Sequence, residues 1–71
     1  MYQTELEKAI ELATNIPREI WHMIPTFMFL GTIETPYGNR HYYLHKAENT
    51  YYVESDFDRE MRAVIKRRTK K

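Results

Sequence analysis

The chain has 71 residues, of which 14% are aromatic and 30% charged, with no cysteine and a formal net charge of +1. That length leaves room for one modest core, residues 1–71 forming a single domain. Disulfides cannot brace it, so the six Tyr, three Phe and one Trp, or a partner subunit, must do so. The longest apolar run, Phe27-Met28-Phe29-Leu30, is far too short to cross a bilayer, and the N-terminus is acidic rather than basic then apolar. The expectation is a soluble, cytoplasmic protein that makes no membrane contact.

The net charge conceals a gradient. Residues 59 to 71 carry seven bases (Arg59, Arg62, Lys66, Arg67, Arg68, Lys70 and Lys71) against Glu60 alone, a balance of +6. Residues 1 to 14 balance at −2 and the middle of the chain at −3. One end is basic and the rest mildly acidic, which bears on partners more than the sum does.

Thr4-Glu5-Leu6-Glu7 has the form of a capping box, and Leu6, Ala9, Ile10 and Ala13 recur at helical spacing, predicting a first helix over residues 4 to 14. Asn15 is positioned to cap a second, shorter helix with Pro17 in its first turn, and Pro25 stops it. From Thr26 the period changes to two. Thr35-Pro36-Tyr37-Gly38 matches a type I turn, and Arg40 to Ala47 and Thr50 to Ser55 are rich in strand-favouring residues, with Glu48-Asn49 between them. Three strands with short connections predict an antiparallel meander. Ser55 and Asp58 open a last helix with Phe57, Met61, Val64 and Ile65 as its apolar stripe, and residues 69 to 71 read as a frayed basic tail. The expected fold is α+β: helix, short helix, three-stranded antiparallel meander and C-terminal helix, with the helices packed on one sheet face.

Alternation divides the strand residues into two sets. Phe27, Phe29, Ile33, Tyr42, Leu44, Tyr51 and Val53 are expected to face the helices. Met28, Leu30, Thr32, His41, Tyr43, His45, Tyr52 and Glu54 would lie on the open side. That side is either covered by the short helix, whose Trp21 and Met23 need a place to pack, or by a second copy, or it docks a different partner.

Little points to chemistry. His41 and His45 are four apart, which on a strand separates them by ~13 Å, so they share a face without sharing a metal. No nucleophile signature, phosphate loop or HExxH motif occurs in the sequence. No enzyme activity, cofactor, metal or small-molecule substrate is expected.

Two binding readings follow. Arg40, Lys66, Arg67, Arg68, Lys70 and Lys71 are candidates to contact nucleic acid, since clustered bases release counterions from phosphates. Alternatively Met28, Leu30, His41, Tyr43, His45 and Tyr52 bind another protein, or a second copy, through the open sheet face. The order of elements is shared with the double-stranded-RNA-binding domain. The last helix here opens on Ser55-Asp56-Phe57-Asp58, where that family places its basic cluster, and no family is assigned.

Overall fold

The computed structural model describes the backbone of residues 3–69 and the side chains of residues 3–66. The fold is α+β. Helix α1 (Glu5–Leu12) is followed by a two-residue strand β1 (Thr14–Asn15), a 3-10 segment (Arg18–Thr26), strands β2 (Met28–Thr35), β3 (Gly38–His45) and β4 (Thr50–Ser55), and helix α2 (Asp56–Thr69). None of the described helices is long and apolar enough to cross a membrane.

The capping box forms as the sequence predicts. Glu7 N–H donates to Thr4 Oγ1 at 3.1 Å, and Thr4 N–H donates to Glu7 Oε1 at 2.8 Å. The turn at Pro36-Tyr37 forms as well, with Gly38 at φ 117, and Asn49 enters the left-handed region at φ 51 to deliver the chain into β4.

The sheet has four strands rather than three, in the order β1-β4-β3-β2. β2, β3 and β4 are the antiparallel meander, and β1 adds in parallel at the edge, with Thr14 opposite Tyr52 and Asn15 opposite Val53. Asn15 is therefore a strand residue and not a helix cap.

This small strand decides the architecture, because the chain crosses the sheet edge there. Before it, α1 lies on one face and builds a cluster of Ala9, Tyr42 and Val53 with Leu6, Leu30 and Ile33. After it, Ile16 is already on the other face, in a cluster with Ile24, Phe27, Tyr43 and Tyr52. The chain must then travel from the β1 edge to β2 at the opposite edge, three strand spacings or roughly 14 Å. Nine residues in a 3-10 helix reach about 18 Å, against about 13.5 Å in an α-helix. The short helix expected between Asn15 and Pro25 is this stretched strap, and Pro25 lies inside it.

Helices therefore cover both sheet faces, not one. The alternation expected along β2 also shifts by one residue, because a bulge falls between Phe29 and Gly31. Phe29 pairs with Tyr43 but Gly31 pairs with Tyr42, so Leu30 and Gly31 both turn toward α1. Gly31 sits at φ +152, and a Cβ there would lie 3.2 Å from the Leu6 side chain, so glycine serves both the backbone and the approach of α1.

Candidate functional site

The face holding His41, Tyr43, His45, Tyr52 and Glu54 is closed. Each of these residues is buried, His41 to 4% and Glu54 to 3% exposure. The strap covers one end of the face: Phe27 stacks on Tyr52 with ring centroids 5.5 Å apart and packs on His45 at 4.7 Å. α2 covers the other end. His41, Tyr43, His45 and Tyr52 are thus core residues and not a docking surface, and the bulge removes Leu30 to the α1 side. Met28, opposite Leu44, shares that side at the rim of the sheet.

Burying Glu54 unpaired would cost several kcal/mol. Its Oε2 accepts a 2.6 Å hydrogen bond from Tyr43 Oη and a 3.1 Å bond from Arg62 Nη2, with Arg59 Nε at 3.7 Å. Burial first, then the bond to Glu54 and its charge, hold the Tyr43 phenol above its ordinary value of 10.0. The carboxylate therefore fixes which side of α2 meets the sheet. Arg59 and Arg62 reach to Glu54, with the Arg59 side chain still 46% exposed, and most of the predicted apolar stripe points away: Phe57 is 69% exposed and Met61 and Val64 are each 41% exposed, while Ile65 is half-buried in the groove wall. A buried charge has overruled the amphipathic pattern.

A second chain of bonds clamps the start of α2. Thr32 Oγ1 lies 2.9 Å from His41 Nδ1, and His41 Nε2 lies 2.6 Å from Asp56 Oδ1. Arg59 Nη1, which can only donate, is 3.5 Å from the same Nδ1. The consistent assignment has Nδ1 accepting and Nε2–H donating to Asp56. The bond from His41 holds the Asp56 carboxyl below its ordinary range, with the backbone N–H of Asn39 and the Arg59 charge adding to the effect. Hydroxyl, imidazole and carboxylate stand here in the order of an acyl-transfer triad. The imidazole is sealed against the sheet, however, and the bonds join β2, β3 and α2, which is the work of a clamp. Thr32 and His41 were already legible as same-face neighbours; what the sequence did not show was that Asp56 closes over them.

Between the strap and α2 runs a groove of about 560 Å³, lined by Trp21, His22 and Pro25 on one wall and by Arg59, Arg62, Ala63, Ile65 and Lys66 on the other. Trp21 is anchored by Nε1–H donating to Ile16 O at 3.1 Å, and Arg18 lies over its ring at 5.5 Å. Three cations thus meet an aromatic wall, with Glu54 beneath them paired to Arg59 and Arg62. Arg62 Nε is buried and has no hydrogen-bond partner among the described residues. Arg59, Trp21 and His22 were not among the sequence candidates for this role, because bringing the strap against α2 requires the edge crossing at β1.

Of the basic candidates, Lys66 lines the groove. Arg40 does not join it: it is exposed on β3, one residue before His41, and so alternates to the face opposite α2. Arg67 and Arg68 continue the α2 backbone, and their side chains lie outside the described residues, as do Lys70 and Lys71 entirely. His41 and His45 are engaged by Thr32 and Asp56 and by Phe27, and no group of three or more potential metal ligands occurs among the described residues.

No protein-family model matches the chain, and comparison with curated proteins and with solved structures returns no match.

Proposed function

We propose that this is a small, non-enzymatic binding module that holds nucleic acid, in single-stranded form, along the groove between the strap and α2. The observation that carries the reading is the convergence of Arg59, Arg62 and Lys66 on a wall formed by Trp21, His22 and Pro25. Guanidinium and ammonium groups take phosphate oxygens, and aromatic and imidazole rings take base faces regardless of sequence. The groove volume suits a nucleotide-sized group rather than the width of a duplex. The basic C-terminal sequence follows on from Lys66 and supplies non-specific attraction.

The single tryptophan makes the test direct. Titration with short oligodeoxynucleotides should change Trp21 emission, with single strands preferred over duplex and affinity falling steeply between about 50 and 200 mM salt. Lys66→Gln should weaken binding several-fold and shallow the salt slope by about one unit, without altering the fold. Binding that is indifferent to salt, or that leaves Trp21 emission unchanged, would remove the reading.

A further inference from the structure

We infer that α2 is also a self-association surface, pairing antiparallel with α2 of a second copy about a two-fold axis through residues 62 and 63. The inference is independent of the nucleic-acid reading, since it uses the opposite side of the helix.

At 100° per residue, Phe57, Met61 and Val64 centre about 160° around the helix from Arg59 and Arg62. Since those arginines face the sheet, the three apolar side chains form the outermost strip of the molecule, which agrees with their exposure of 69, 41 and 41%. Their spacings of four and three residues are those of a helix-pairing seam.

Charge selects both the occupant and its direction. Asp56 is held by His41 and Lys66 faces the groove, so the charges left on the outer side are Asp58 and Glu60 in the first turns, whereas positions 67 and 68 read Arg-Arg. A parallel partner would set acid against acid and base against base. An antiparallel copy sets each acidic first half beside a basic second half, and Met61 meets Val64 of the partner at the centre. No other chain is needed to supply the complement, because the helix is complementary to itself. The molecule also has reason to recruit this area, being only 15 Å through its thinnest dimension and having no large side chain fully buried among its described residues.

The area sets the strength. A 14-residue helix is about 21 Å long, so the pair covers only a few hundred Å² on each partner, below the roughly 800 Å² of a standard interface. The dimer is therefore weak, with a dissociation constant in the micromolar range or above.

Sedimentation of the full chain from about 5 μM to about 0.5 mM tests this. The expected result is a concentration-dependent monomer–dimer shift that Met61→Glu and Val64→Glu each weaken at least tenfold with unchanged far-ultraviolet circular dichroism. Direction is read by oxidation, aided by the absence of native cysteine. A mixture of Met61→Cys and Val64→Cys chains should give the mixed disulfide, and Phe57→Cys alone should not self-link. A chain that stays monomeric at the highest concentration, a dimer indifferent to both glutamates, or efficient self-linking at Phe57→Cys would each overturn the proposal.

Discussion

The two faces of the sheet solve the same burial problem by different means. On the α1 face, Ala9, Tyr42 and Val53 pack with Leu6, Leu30 and Ile33, a contact set mainly by shape and apolar area, with one exposed hydrogen bond from Tyr51 Oη to Glu5 Oε1 at its rim. On the α2 end of the other face, the contact is set by Glu54, His41 and Asp56 with Tyr43, Arg59 and Arg62. Apolar packing tolerates a helix that slides or rotates by a few degrees, whereas a buried carboxylate held by three partners does not. The polar face thus serves orientation: it aims the basic side of α2 at the groove and leaves its apolar strip outside.

The largest expected effect lies on the polar face. Glu54→Ala would leave two guanidiniums and a phenol without their acceptor and should cost about 3–5 kcal/mol in a urea titration, whereas Glu54→Gln, which keeps an acceptor for Tyr43, should cost clearly less. Equal losses for the two variants would mean that shape, not charge, holds this end as well. Gly31→Ala tests the α1 face. The positive φ and the Leu6 approach should together cost about 1–3 kcal/mol, checked by thermal unfolding, with α2 and the groove unaffected. Thr4→Ala removes the capping box, and the same measurement should show a loss of about 1 kcal/mol.

The smallest effect is confined to acid. The Asp56 carboxyl is held below its ordinary value of 3.8, so the unfolded chain takes up its proton first as pH falls. The stability contributed by Asp56 is complete above about pH 3.9 and is lost as pH drops through the lower folded value. Asp56→Asn should therefore flatten the stability profile below about pH 4, measured as the urea midpoint against pH, and a profile parallel to that of the parent would show that the His41 clamp adds nothing.

Local grammar was readable from the residues. The capping box at Thr4, the turn at Pro36 and the strand from Thr50 to Ser55 are each specified by neighbours within four positions, and each forms where the pattern places it. Three features escaped because their causes are long-range. β1 has only two polar residues and exists by backbone pairing to β4, 38 positions away, so no side-chain period announces it. The bulge reverses the sides of Met28 and Leu30, because Gly31 accepts a conformation that no periodic template contains. The rotation of α2 is set by one buried acid, Glu54, which alternation alone assigned to an open face. The groove inherits all of this: Lys66 was visible as a charge, but its neighbours Trp21 and His22 reach it only through the edge crossing.

The manner in which α2 is held also ranks the order in which parts of the molecule open. Its described attachments to the sheet are hydrogen bonds and ion pairs at its first two turns, and its apolar residues contribute little there. The helix can detach and reclose while the α1 face stays shut, at a free-energy cost below that of global unfolding. Amide exchange should show this as a split within one small chain. The N–H groups of β3 would exchange only when the whole molecule unfolds, while those of α2, the longest helix, would exchange sooner and in concert.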